Sequence, residues 1–170
     1  MSISIKAGAK EYAVGFEFLE SIASGIPDTE EYMDLFQTLA GSGNVSVRAA
    51  IAYKDKIKSE TVNILAKDSQ VEVLRNLANQ AEACGKVGSD EVDRWIALGD
   101  VELCTYIANN LNNYKKCDED VLLGKLSKHK DPKVRGAIAE NYETPQKILK
   151  SLLKDKDPDV AQKAKSTMEN

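Results

Sequence analysis

Four side chains in this sequence suit ligation or nucleophilic work: Cys84, Cys104, Cys117 and the single histidine, His129. Thiolates and imidazole together make tetrahedral zinc sites, and the usual spacing brings two cysteines within one turn of chain. No Cys-x-x-Cys occurs here, and the cysteines are odd in number and widely spaced. The expectation is free thiols, no metal and no cofactor. Phosphate-cradling and acyl-transfer signatures are missing too. There is no Gly-x-x-x-x-Gly-Lys-[Ser/Thr] and no Gly-x-Ser-x-Gly, and Gly124-Lys125 lacks a preceding glycine loop. A non-enzymatic chain is expected.

Charge offers a second chemistry, the binding of anions. Lys147, Lys150 and Lys154 are spaced i, i+3, i+7 and share one helical face, and Lys125 and Lys128 repeat the spacing upstream. Residues 121–170 carry 11 Lys or Arg against seven acids, a balance of +4, whereas residues 1–42 stand at −5. These five lysines are the candidate binding residues: a basic ridge for an acidic peptide or a phosphate-bearing partner. The same pattern also fits a solvated face that keeps the protein dispersed. The whole chain has a net charge of −4. That makes nucleic acid an unlikely partner, since such binding rests on many Lys and Arg contacts to phosphates.

These residues need a scaffold, and the sequence supplies one by repeating itself. Asp131-Pro132-Lys133-Val134 restarts 26 residues later as Asp157-Pro158-Asp159-Val160. Between the two lie two amphipathic helical patterns. The first carries Val134, Ala137 and Ile138, and the second carries Ile148, Leu149, Leu152 and Leu153. Asp131 is a good N-cap with Pro132 in the first turn, and Thr144-Pro145 repeats the device. Neither helix buries its stripe alone, so copies must stack. Aligned first helices begin at Val45, Val71, Val101, Pro132 and Pro158, at intervals of 26, 30, 31 and 26 residues. Three columns recur: Val47, Val73, Leu103, Val134, Val160; then Ile51, Leu77, Ile107, Ile138, Ala164; then Ala52, Ala78, Ala108, Ala139. The additional residues of the middle repeats fall in loops at 81–88 and 112–117. Cys84 and Cys117 lie in those loops, as a pair that meets or as two indifferent thiols.

Val134-Arg135, Ile138-Ala139, Asn141, Pro145, Leu149, Leu152 and Asp155 resemble the leucine-rich repeat variant and its HEAT-like relatives. The resemblance implies an all-α, right-handed superhelix of about five helix pairs with terminal caps and a concave face lined by the second helices. In such repeats Arg48 and Arg135 would join neighbouring Asp residues in a ladder, here broken at Leu74 and Cys104. Among HEAT-like enzymes, deoxyhypusine hydroxylase needs His-Glu metal pairs, which one histidine followed by Lys130 does not supply. The alkylpurine DNA glycosylases use a broadly basic groove, which an acidic chain lacks.

Taken in order, the chain reads as one domain over 1–170. A capping pair spans 1–43, with a frayed start over 1–8 and a helix from Ala9 to about Ser24 that carries Tyr12, Phe16, Leu19 and Ile22 or Ala23. Asp28-Thr29-Glu30-Glu31 then has the form of a capping box, opening a helix that buries Tyr32, Leu35, Phe36 and Leu39. Four repeats over 44–157 follow, their second helices opened by Ser59, Ser89, Asp118 and Thr144. A capping helix over 158–170 closes the chain. Trp95 is read as core filler, the alternative being a groove-facing hot spot. Tyr53, Tyr114 and Tyr142 sit near helix junctions as an edge row or as packing. With no apolar run near 18 residues and no basic-then-apolar leader, a cytoplasmic protein is expected. Its expected function is to present the concave face to another protein or acidic peptide. The alternative is a nucleic-acid-binding or DNA-repair module that uses the ridge.

Overall fold

The computed structural model describes residues 4–169, apart from the side chains of Ile5, Phe16 and Glu17. The first residues of the expected frayed start, and the place of Phe16 on an apolar face, lie outside them. The structure is mainly helical, with one two-stranded hairpin among the described residues. Close Cα neighbours divide it into two compact units, Met1–Ala83 and Cys84–Asn170.

The first unit opens with β1 (Ser4–Ala7) and β2 (Lys10–Ala13), paired antiparallel with Ala7 opposite Lys10. This corrects the helix expected from Ala9. Ser4-Ile5-Lys6 alternates with the period of a strand, and Gly8 supplies the left-handed turn at φ 62°. Helix α1 (Phe16–Gly25) therefore starts late. It buries Leu19 and Ala23, while Tyr12 and Phe18 stand exposed.

A 3-10 turn leads into α2 (Met33–Ala40), which buries Phe36 and Leu39 but leaves Leu35 outward. Asp28 does not cap this helix. Its carboxylate accepts the N–H groups of Asp55 (2.7 Å) and Lys56 (2.9 Å), in the turn of the next helix pair. Lys54 reaches back, donating to the carbonyls of Ser24 (3.1 Å) and Ile26 (2.8 Å) at the end of α1. That helix has no basic residue in its last turn, and a cation is favoured at a helix C-terminus.

Helices α3 (Val45–Ala52), α4 (Ser59–Leu65) and α5 (Val71–Asn79) complete the first unit. Helix α3 packs against α1, α2 and α5, and α4 against α2 and α5. Val47, Ile51, Val73 and Leu77 are fully buried, and Ala52 and Ala78 are buried beside them. Each larger side chain of this kind contributes about 1.5–3 kcal/mol when removed from water. The division between units falls in a short helix, α6 (Ala81–Cys84), which occupies the first predicted long loop.

In the second unit run α7 (Ser89–Ala97), α8 (Val101–Asn109), α9 (Glu119–Leu126), α10 (Pro132–Glu140), α11 (Gln146–Leu152) and α12 (Pro158–Glu169). Helix α10 is central: it packs between α8 and α12 and touches α9 and α11. Leu103, Ile107, Val134, Ile138 and Ala164 are fully buried, with Val160 nearly so. Trp95 is fully buried, as core filler, and Tyr114 is buried while Tyr53 and Tyr142 are exposed. Gly99, at φ 68°, turns the chain out of α7.

Helix starts follow the sequence in part. Asn44, Asp100 and Asp131 cap their helices through N–H groups of Ser46, Leu103 and Lys133, each at 2.9 Å. Asp118 caps α9 through Val121. Ser59 and Ser89 instead stand one residue inside their helices, with Lys58 and Gly88 at the boundary. Thr144 is buried and donates 2.7 Å to the carbonyl of Ile138. It closes the end of α10 rather than opening α11. No helix among the described residues is long and apolar enough to cross a membrane.

Candidate functional site

The five predicted lysines are all exposed and all belong to the second unit. Lys125 lies in the last turn of α9 and Lys128 just past its end, while α11 carries Lys147 and Lys150, with Lys154 beyond it. Lys125 is engaged: its Nζ lies 2.5 Å from Oδ1 of Asp93 on α7. Among the described residues the other four have no carboxylate partner, so they keep their charge free for an anion.

Arg48 and Arg135 hold structure rather than ligand. Each carboxylate partner lies twenty residues ahead, in the turn that follows the second helix. Arg48 Nε lies 2.5 Å from Asp68 Oδ2 and Nη2 3.1 Å from Oδ1, and Nη1 donates 2.8 Å to the carbonyl of Ser42. Arg135 repeats this with Asp155 and donates from Nη1 to the carbonyls of His129 and Lys130. Asp131 only caps α10. Burial pushes Asp68 upward, but Arg48 and the Gln70 N–H outweigh it and hold the carboxyl below its usual range. Arg135 holds Asp155 low in the same way. His129 occupies the corresponding turn after α9, where its Nδ1 accepts the N–H of Asp131 at 3.1 Å. The single histidine thus stands in for a turn carboxylate.

The thiols are poorly placed for nucleophilic work. Cys84 and Cys104 are buried and Cys117 is half-buried. Burial pushes Cys84 up to about 11 and raises the other two. Their loops do meet, since Lys116 Nζ donates 2.9 Å to the carbonyl of Lys86. Among the described residues, no three His, Cys, Asp or Glu side chains group as metal ligands.

A hollow of about 520 Å³ is lined by residues from the ends of two helices and the turns that follow them. It lies where α8 and α10 both end. Asn109, Asn110, Asn112 and Asn113 form one wall, Asn141 with Glu140 and Glu143 the other, over Ala137. Three of these amides are fixed from within: Asn113 Nδ2 donates 3.2 Å to Asn110 Oδ1, and Asn141 Oδ1 accepts the Glu143 N–H at 2.9 Å. Asn109 and Asn112 make no hydrogen bond through their side chains within the described residues. The signal was in view, as four asparagines in the five residues Asn109-Asn110-Leu111-Asn112-Asn113. A carboxamide offers a donor and an acceptor in one plane, the pair that a peptide bond also carries.

The chain matches no protein-family model, no curated protein and no solved structure.

Proposed function

We propose that this chain is a non-enzymatic protein-interaction module built from stacked helical repeats of the leucine-rich repeat variant and HEAT-like kind. The buried columns at Val47, Val73, Leu103, Val134 and Val160, and the two Arg–Asp forks at a common spacing of twenty, support the repeat reading. A superhelical arrangement and a cytoplasmic setting go with it. The observation that carries the binding role is the asparagine-lined hollow. Three of its carboxamides, Asn110, Asn113 and Asn141, are held in place before any ligand arrives, which lowers the ordering cost of binding, while Asn109 and Asn112 keep their amide groups for an extended backbone. The partner is a protein segment lying across the ends of α8 and α10.

The test is a titration of 15N-labelled protein with a pool of unstructured decapeptides. The side-chain amide signals of Asn109 and Asn112 should move first, and Asn109→Ala with Asn112→Ala should abolish the response. Shifts confined to other surfaces would overturn the reading.

A second reading rests on the four unpaired lysines. It makes α11 and the end of α9 the contact, with an acidic peptide or nucleic acid as partner. Duplex DNA titrated at low and moderate salt separates these two ligands.

A further inference from the structure

We infer that the hollow selects a segment carrying a lysine or arginine, and that Lys163 of α12 is a built-in competitor for that cation. The inference rests on the binding role proposed for the hollow and adds the chemistry of its ligand.

Three observations carry it. First, the walls carry two carboxylates, Glu140 and Glu143, and no cation of their own. Glu143 is an exposed carboxylate with no cation partner among the described residues, and no Lys or Arg lines the hollow. Helices α8 and α10 both end here, and neither has a basic residue in its last turn. A helix C-terminus carries roughly half a negative charge, so two of them add to the carboxylates. Second, the chain itself shows an ammonium at this wall. Lys163 crosses α10 over Gly136, where a Cβ would lie 3.6 Å from its Cδ, and places Nζ 2.8 Å from Glu140 Oε2. Lys163 and Glu140 remain substantially exposed, at 43% and 65% of their side-chain surface, so an incoming cation can displace the contact at little cost. Third, the first unit meets the same demand internally. Its hollow beside α1, α3 and α5 is lined in part by Lys54, which serves the end of α1, and by Asn76, whose amide is spent on the Ala49 carbonyl. In the second unit no lysine lines the hollow, and the Asn109 and Asn112 amides make no hydrogen bond within the described residues.

The experiment uses the full chain and three labelled Ser/Gly decapeptides, carrying two arginines, two glutamines or two glutamates, read by fluorescence anisotropy at low salt. The arginine peptide should bind about fivefold tighter than the glutamine peptide, the scale of one exposed charge pair, and the glutamate peptide weakest. Glu143→Gln should remove most of that preference. Lys163→Gln frees Glu140, so it should tighten the arginine peptide several-fold and leave the glutamine peptide unchanged, an outcome that a merely structural lysine does not give. Equal binding of all three peptides, abolished by Asn109→Ala with Asn112→Ala, overturns the cation selection and keeps the binding role. No binding of any peptide at about 1 mM, the weak end of specific association, overturns both.

Discussion

Arg135 grips Asp155 with two arms at once, Nε to Oδ2 and Nη2 to Oδ1 each at 2.7 Å, with both side chains more than nine-tenths buried. Arg48 and Asp68 form the same fork at the same separation in the first unit. Removing one member leaves the other charge buried and unpaired, which costs about 3–5 kcal/mol. Arg135→Ala and Asp155→Ala should each lower the urea midpoint by that order, and the double variant by less than their sum. Additive losses in the cycle would mean that the fork does not couple the two residues.

The same forks set the acid sensitivity. Asp68 and Asp155 are both held below their ordinary values. A carboxyl lower in the folded than in the unfolded state adds stability that is complete above the unfolded value of about 3.9. That stability is lost as pH falls from about 5 through the folded value. Stability should therefore be level from pH 7 to about 5 and decline below, and Asp68→Asn with Asp155→Asn should flatten the decline while lowering the plateau. A decline that persists unchanged in that double variant would place the acid sensitivity elsewhere.

Ile107 occupies the repeat column on α8 with no surface exposed. Ile107→Ala should cost about 2–5 kcal/mol, whereas Leu98→Ala, at an exposed position, should stay within about 0.5 kcal/mol. Equal losses at the two positions, measured by urea denaturation, would contradict the register.

Thiol labelling should proceed in a fixed order. Cys117 is half-buried and reacts first, while Cys84 and Cys104 are buried, with Cys84 pushed up to about 11. In native protein at neutral pH a disulfide reagent should modify Cys117 alone, and the other two only at the rate of unfolding. Rapid labelling of Cys84 would mean that α6, which ends at it, opens freely.

The lysines give the last prediction. Lys125 is committed to Asp93 and Lys128 and Lys150 are not. On a sulfated column at low salt, Lys128→Glu with Lys150→Glu should shorten retention more than Lys125→Glu does, with stability changed by less than about 0.5 kcal/mol. The reverse order would mean that the free lysines do not form the anion-facing surface.

The helical columns were readable because burial leaves a period: Val47 to Val160, and Ile51 to Ala164, recur wherever a helix faces its neighbour. The caps were readable only where a side chain serves its own helix. Asp28 and Thr144 have the right types at the right spacing, yet one serves a turn 27 residues on and the other closes the helix before it. Local pattern does not encode such long-range partners. The hairpin at the start was missed because Tyr12 and Leu19 also fit a helical stripe, and Gly8 decides between the two. The hollow went unread for a different reason. Asparagine between helices reads as loop, and only the meeting of two helix ends turns four loop amides into a wall.

The fork between Arg48 and Asp68 closes within one short stretch of chain: its carbonyl partner is Ser42, and Asp68 takes its last N–H from Gln70. Everything needed to lock it has been synthesised once residue 70 is added, with 100 of the 170 residues given still to come. At about 5–20 residues per second that interval lasts roughly 5–20 s, long beside the microseconds to seconds in which small domains fold. The fork thus has time to close while the second unit is still being made.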